Sequence, residues 1–419
     1  MASRPILVDT TRLLTRLKHP SPSGIDRVDL AYARQFLTGA PDRQAVAIGY
    51  FGPRLLPDAK RAELISTLAE RWREDMPADR DPVLAGIRDR LAGSAPPTAP
   101  VRQETAVPKL RLEVADQLNK AGGFRWMPAA RAPLDAIYLH TSHLRLDKPE
   151  QFAWLAARPD IRAVFFVHDL IPIDFPEYAV PGEAARHRVR MATVARHAAA
   201  ILANSADVGA RFSSHCEAAG LRCPPVAVAP LGAEDAFLRG PARVPGARPY
   251  FVVCSTIEAR KNHLLLLQVW RNLVGRHGPD TPALVIVGRR GWESEAAVDL
   301  LDRCEALKGH VFEASGLSTA GLAELLSGAQ ALLMPSFAEG YGIPVVEALS
   351  VGTPAIVSDI PVHREVGGAL ATFVDPLDGP GWIAAIERHA VRPAEPIAGY
   401  LPPTWEAHFR TVNHVLAEL

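Results

Sequence analysis

Short apolar runs alternate with amphipathic stretches along most of this chain. A short run bounded by polar or turn residues reads as a strand buried on both faces, and apolar positions recurring every three or four residues read as a helix. On that basis strands are expected at 6–8, 46–48, 136–139, 163–167, 200–203 and 226–228. A second series is expected at 250–254, 283–287, 311–313, 331–334, 355–357 and 371–374. Helical stretches lie between them. After Ser23 and Gly24, residues Ile25, Val28, Leu30, Ala31 and Phe36 fall roughly on one face. Further helices are expected at 262–275, 318–327 and 403–419, the last with Trp405, Phe409, Val412 and Val415 on one side. Strands alternating with helices argue for βαβ units and parallel sheets.

Two interruptions set the domain organisation. From 51 to about 133 the pattern degrades into Pro, Ala and Arg, which reads as an insertion with a helix or two and a flexible loop. Residues 230–248 carry Pro, Gly and Arg without periodicity and read as a linker. The expected organisation is an N-terminal domain at 1–235 containing the insertion, a C-terminal domain at 245–400, and a helix at 401–419 that packs back on the first domain. Two doubly wound halves place their ligand crevice outside the strand C-termini, at the interface between them.

Composition narrows the field. The 419 residues are 48% hydrophobic and 22% charged, which excludes a disordered or fibrous chain. Lys+Arg and Asp+Glu both number 46, so no bulk charge exists to hold nucleic acid, and any anion site must be local. Four cysteines without a CxxC pair argue against a zinc site or disulfide framework and for a reducing compartment. The sequence shows neither a signal-peptide pattern nor an apolar run of membrane-spanning length, so a cytoplasmic location is expected. Asp79-Arg80-Asp81 has the DxD spacing of some metal-holding loops. It lies between Pro77 and Pro82 and not after a strand, so no metal is expected there.

The most informative segment is Pro335-Ser-Phe-Ala-Glu339-Gly340-Tyr341-Gly342-Ile343-Pro344-Val-Val-Glu347. A buried strand delivers the chain to a glycine turn, and Pro344 suits the first position of the helix that follows. Free N–H groups and the helix dipole there suit a phosphate. Glu339 on the loop and Glu347 in the helix would be left to accept hydrogen bonds from sugar or ribose hydroxyls. The plainer alternatives are a solvated loop acid and a residue that complements the dipole.

Other clusters add to this. Arg260 and Lys261 sit where a helix is expected to begin. A cation there is unfavourable by about 0.3–1 kcal/mol, so something negative is expected beside them. His168 and Asp169 end a buried strand, with Asp169 expected to orient the imidazole; a core His and a turn-capping Asp are the alternatives. Asn204-Ser205 reads as a helix cap before it reads as a ligand contact. Ser23, Gly24 and Arg27 open a helix after the first strand.

The glycine segment resembles the E-x7-E signature of the family 4 retaining glycosyltransferases. The likeness extends to Ser255-Thr-Ile-Glu-Ala-Arg260-Lys261-Asn262, Gly288-Arg-Arg-Gly291-Trp292 and the stretch from Gly352 to Glu365. The resemblance implies an α/β GT-B fold, two Rossmann-like domains facing across a cleft. It implies that Glu339 holds hydroxyls of the transferred sugar, that Gly340, Tyr341, Gly342 and Ile343 contact sugar and phosphate, and that Glu347 binds ribose. Gly316 would touch the base, Arg260 and Lys261 the diphosphate, and His168 the donor sugar. Many relatives carry an Arg near the position of Thr256, so either Arg260 substitutes for it or one phosphate contact is missing.

The SGIDRV stretch resembles bacterial polysaccharide transferases, which puts Ser23, Gly24 and Arg27 on the acceptor side. The implied reaction moves a hexose, with GDP-mannose favoured over UDP- or dTDP-sugars, to a glycan or lipid-linked hydroxyl with retention. The nucleotide sugar is a co-substrate, and neither cofactor nor metal is implied. The acceptor would lie at the inner face of the membrane, and Lys109, Arg111, Lys120, Arg125, Trp126 and Arg131 could form a peripheral membrane contact. A nucleotide-sugar epimerase, a phosphorylase and a non-catalytic nucleotide-sugar-binding protein are the rival readings.

Overall fold

The computed structural model describes residues 4–19, 22–38, 42–72, 76–94, 101–102, 126–241, 247–390 and 396–419. The chain divides into two α/β units. One comprises residues 1–72, 105–231 and 406–419; the other comprises 73–104 and 232–405.

The first unit's strands are β1 (Ile6–Asp9), β2 (Arg43–Gly49), β3 (Gly52–Leu55), β5 (Ile137–His140), β6 (Arg162–Val167), β7 (Ala198–Ala203) and β8 (Val226–Val228). They form one sheet in the order β3-β2-β1-β5-β6-β7-β8. All neighbours are parallel except β2 and β3, which make a hairpin. Helices cover the inner strands, so Leu7, Tyr138, Phe165 and Ile201 are fully buried with Phe152 and Phe212 packed into the same core. Each such side chain contributes about 1.5–3 kcal/mol. β3 was not expected, because Gly-Pro-Arg-Leu carries no strand signal. Pro53 is tolerated there because β3 lies at the sheet's end.

The second unit's strands are β4 (Val101–Arg102), β9 (Tyr250–Cys254), β10 (Ala283–Val287), β11 (Val311–Ser315), β12 (Leu332–Met334), β13 (Ala355–Ser358) and β14 (Ala371–Val374). Their order is β14-β13-β12-β9-β10-β11-β4, parallel throughout. Trp270 and Trp382 are fully buried against this sheet, and the Trp270 indole N–H donates to the Pro282 carbonyl at 2.9 Å. The expected linker contains a short helix, Asp235–Leu238, and Ala233 pairs with Thr404.

The insertion is divided between the units. Residues 73–104 belong to the second unit, not to the first as the sequence suggested. Asp81 supplies the physical reason. Its buried carboxylate caps helix Pro82–Leu91 by accepting from the N–H groups of Val83 (2.8 Å) and Leu84 (3.3 Å). It also accepts from the N–H of Ser318 at 2.7 Å, where the next helix, Thr319–Gly328, begins. Arg88 and Glu324 form an ion pair between the same two helices. The DxD spacing of Asp79 and Asp81 is therefore a capping turn. Asp81→Ala orphans these N–H groups and is expected to lower second-unit stability by about 2–3 kcal/mol. Urea unfolding followed by circular dichroism measures this, and an unchanged midpoint would remove Asp81 from that role.

Helix Trp405–Ala417 follows the Thr404 bridge, and residues 406–419 belong to the first unit. There His408 donates from Nδ1 to the carbonyls of Ala229 (3.1 Å) and Pro230 (3.0 Å), and Nε2 accepts from the Tyr32 hydroxyl at 2.9 Å. Burial pushes the His408 pKa down to about 4, against the pull of those two carbonyls.

Candidate active site

In the second unit, the chain leaves β9 at Cys254 and runs through residues 255–258 against the loop that follows β10. Ile257 N–H donates to the Arg289 carbonyl and Gly291 N–H returns to the Ile257 carbonyl, both at 2.8 Å. This approach requires glycine. A Cβ on Gly288 would lie 1.9 Å from the Ser255 carbonyl oxygen, and one on Gly291 would lie 2.7 Å from Thr256 Cγ2.

The next turn corrects the expectation for the basic pair. Arg260 and Lys261 lie in a 3₁₀ turn, Ala259–Lys261, and not in the first turn of an α-helix. Asn262 follows in the left-handed region (φ 56°), and the helix proper is His263–His277. Asn262 Nδ2 donates to the carbonyls of Pro335 (3.2 Å) and Pro376 (2.9 Å), which ties this turn to the loop after β12.

That loop brings Glu339 to the two cations. Lys261 Nζ donates to Glu339 Oε1 at 2.5 Å, and Arg260 Nη1 donates to Oε2 at 3.0 Å. Arg260 also donates to the Ala338 carbonyl (2.5 Å) and to Glu258 (2.6 Å). The negative partner anticipated beside the basic pair is thus supplied by the protein itself. Burial alone would raise the Glu339 pKa, but Lys261, then Arg260, outweigh it and hold the carboxyl well below the usual range. Burial, followed by the neighbouring Arg260 charge, lowers the Lys261 pKa against the pull of Glu339. Arg260 has most of its donors committed. Among the described residues Lys261 pairs with Glu339 alone, which leaves two of its three ammonium protons.

Beyond Glu339, Gly342 adopts φ +95° and caps helix Ile343–Ser350. Pro344 is the second residue of that helix rather than its first. Tyr341 and Glu347 are buried, and Gly316 follows β11 with φ +83°. His363 was given no role from the sequence, yet its ring Cδ2 lies 3.4 Å from where a Gly342 Cβ would be. Its Nδ1 donates to the Ser358 carbonyl at 2.9 Å, leaving Nε2 buried as a bare acceptor. A His two residues after a Pro offers no sequence signal for that position.

In the first unit, β6 ends at Val167 and His168 follows, buried. Its Nε2 donates to the Thr141 carbonyl at 2.6 Å, so Nδ1 is the acceptor nitrogen. Burial lowers the His168 pKa to about 4, so the ring is neutral at pH 7. Asp169 does not orient this ring through a hydrogen bond. Its carboxylate accepts the Ile171 N–H at 3.1 Å and caps the next turn, the plainer of the two readings. The carbonyl of Thr141 does the orienting. Asn204 Nδ2 donates to the His168 carbonyl at 3.0 Å, and Ser205 caps helix Ala206–Ala218.

Ser23 makes a capping box with Asp26 at the start of helix Gly24–Leu37. Arg12 and Arg16 both donate to Asp26 Oδ1, at 2.6 and 3.0 Å. Asp29, one turn on, accepts from the Thr141 hydroxyl at 2.7 Å. Burial raises its pKa to about 7, against the nearby Arg12 charge. Arg12, Asp26 and Asp29 were not singled out from the sequence, because only the fold brings residue 12 beside residues 26 and 29. Arg131 closes a short 3₁₀ turn, Ala129–Arg131, whereas Lys109, Arg111, Lys120 and Arg125 lie outside the described residues.

Residues 234–378 match the family described as "Glycosyl transferases group 1". The serotype-specific mannosyltransferase WbdA of Escherichia coli is 30% identical over 219 residues, which cover 49% of this chain and 27% of WbdA. O-antigen chain mannosyltransferase B, also of Escherichia coli, is 32% identical over 143 residues, 34% of this chain and 36% of that protein. O-antigen chain mannosyltransferase RfbU of Salmonella typhimurium is 51% identical over 63 residues, 15% of this chain and 18% of RfbU. The matches thus span 18–36% of the length of these three relatives.

Among solved structures, Anabaena Alr3699/HepE in complex with UDP superposes with a TM-score of 0.62 at 15% identity, covering 99% of this chain and 100% of that one. Sucrose-phosphate synthase from Thermosynechococcus elongatus gives a TM-score of 0.57 at 14% identity, over 99% and 95% of the two chains. These likenesses concern the fold. Residues 234–378, which carry Arg260, Lys261 and Glu339, thus resemble a group 1 glycosyl transferase domain, in a chain of two α/β units with the GT-B fold.

Proposed function

We propose that this chain transfers a hexose from a nucleotide diphosphate sugar to a hydroxyl of a glycan or lipid-linked acceptor, with retention at the anomeric carbon and without metal or cofactor. The observation that carries the reading is Lys261. It is an ammonium with one of its three protons given to Glu339 at 2.5 Å, beside a glycine turn that opens onto a helix N-terminus. A diphosphate leaving group gathers negative charge as the sugar bond breaks. The remaining Lys261 protons and the amides near Gly342 are donors suited to that charge. One such preorganised donor is worth about 3–4 kcal/mol in comparable sites.

Glu339, ionised and fixed by two cations, accepts from sugar hydroxyls, and Glu347 from ribose. Arg260 acts chiefly by holding Glu339 and Glu258 in place. Thr256 and Gly316 lie on loops that border the nucleotide. His168, neutral with Nδ1 as acceptor, takes a hydrogen bond from a sugar hydroxyl. The acceptor binds through the first unit near Ser23, Gly24 and Arg27. The leaving phosphate oxygen takes the acceptor's proton, so no protein base is required.

The named relatives favour mannose as the sugar and a place in bacterial surface polysaccharide synthesis; we take GDP-mannose as the donor and the inner face of the cytoplasmic membrane as the location. Among the described residues no helix is long and apolar enough to cross a membrane. A peripheral contact through residues 101–131 is part of the same proposal.

The test incubates the full chain with GDP-, UDP- and dTDP-sugars and a glycan acceptor. Nucleotide release and the product's anomeric configuration are then read by NMR. GDP release with an axial mannoside is expected, and GDP alone should raise the melting temperature most among the free nucleotides. Sugar interconversion without nucleotide release would instead identify an epimerase. Binding without turnover would identify a non-catalytic protein.

A further inference from the structure

The strand that leads to His168 begins at Arg162, and its beginning borders a cavity of about 330 Å³ in the first unit. The cavity has two kinds of wall. Leu155, Pro159 and Ile161 form an apolar side; Arg162, Arg196 and Arg222, with His197, form a cationic side. No acidic side chain lines it. Asp160, adjacent in sequence, is held through both carboxylate oxygens by Arg158, at 2.8 and 2.6 Å. Arg162 and Arg196 enter no ion pair or side-chain hydrogen bond among the described residues, and Arg222 donates to the Ala198 carbonyl.

Helix Glu183–His197 ends at this cavity, and its C-terminal carbonyls favour Arg196 and His197 on dipole grounds alone. That does not account for Arg162, at a strand start, or Arg222, in the loop before β8. In a chain with 46 basic and 46 acidic residues, three guanidinium groups around one cavity without a carboxylate are a local excess of positive charge. Guanidinium forks match phosphate oxygens in geometry and charge.

We propose that this cavity binds a phosphate ester, its phosphate held by Arg162, Arg196 and Arg222 and its organic part lying against Leu155, Pro159 and Ile161. The volume is at the small end of ligand cavities, enough for a sugar phosphate or a phosphoglycerol head. Along β6 the cavity is about 20 Å from His168, at about 3.3 Å per residue, so it does not overlap the site proposed for sugar transfer. The phosphate could belong to a soluble metabolite or to the headgroup of an anionic phospholipid, and the test separates them.

Calorimetry of the full chain with glycerol 3-phosphate reads the soluble source. Sedimentation with phosphatidylcholine vesicles, with and without phosphatidylglycerol, reads the headgroup. Binding in at least one arm is expected. R162Q/R196Q should weaken it by about tenfold or more, while the charge-matched control R186Q/R410Q stays within about twofold of wild type. Absence of binding in both arms, equal binding by R162Q/R196Q and wild type, or equal loss in the control would each overturn the proposal. Nucleotide-sugar turnover should be unchanged in R162Q/R196Q, so failure here is distinguishable from failure of the transferase reading.

Discussion

Lys261→Ala is expected to lower nucleotide-sugar turnover by about 10²–10³-fold, the effect of removing one preorganised donor from a site of developing negative charge. The loss should fall on kcat more than on KM, because the charge Lys261 meets is larger in the transition state than in the bound donor. Stability should change less. After the substitution Glu339 still has Arg260 at 3.0 Å, so no uncompensated buried carboxylate is left. Arg260→Ala should show the opposite balance, because it strips donors from Glu339, Glu258 and the Ala338 carbonyl at once. Its melting temperature should fall further than that of Lys261→Ala. Steady-state kinetics and thermal unfolding of the two variants together check this. Turnover by Lys261→Ala within about threefold of wild type would sink the proposed role of the cation.

Gly288→Ala is expected to disable the same site without touching any of its polar groups. The added methyl would sit 1.9 Å from the Ser255 carbonyl oxygen and 2.7 Å from its carbon. Both are backbone atoms, held by Ser255 N–H donating to the Val287 carbonyl at 3.0 Å, so they cannot swing aside like a side-chain end. One of the two loops must move, and a shift of residues 255–258 would displace Arg260 and Lys261, which follow them. A loss of about 3 kcal/mol in second-unit stability is expected, together with weaker nucleotide binding by the fraction that remains folded. Urea unfolding and nucleotide titration measure the two effects. A variant with wild-type unfolding midpoint and wild-type nucleotide affinity would show that the loops do not approach as described.

Parts of this site were legible before folding and parts were not. The strands were legible because parallel strands covered by helices are apolar on both faces, and the runs at 250–254, 283–287 and 371–374 begin and end where the strands do. β3 and β4 were not. Each is short and at a sheet edge, where burial does not impose an apolar run. Glu339, Gly342, Arg260 and Lys261 were legible as unusual residue types at unusual places. Their pairing was not, since the electrostatic oddity of two adjacent cations can be relieved by a ligand or by the protein's own carboxylates. Glu258 is two residues from Arg260 and Glu339 is seventy-nine away; only the folded loops select them. Asp169 failed in a similar way, because a carboxylate after a strand caps a turn as readily as it orients a neighbouring ring.

By itself, then, the order of apolar and polar residues determined that this chain builds two parallel-sheet units and where the glycine turn, the acidic residues and the basic pair fall along it. Periodicity and residue type are properties of neighbours in sequence, and burial is a response to them. The tertiary structure alone decided that residues 73–104 join the second unit through Asp81 and that Thr141 rather than Asp169 holds His168. It also decided that Lys261 keeps two of its three protons free while most of the Arg260 donors are committed. Each of those outcomes is a choice among several chemically equivalent hydrogen-bond partners, and distance in the folded chain is what makes the choice.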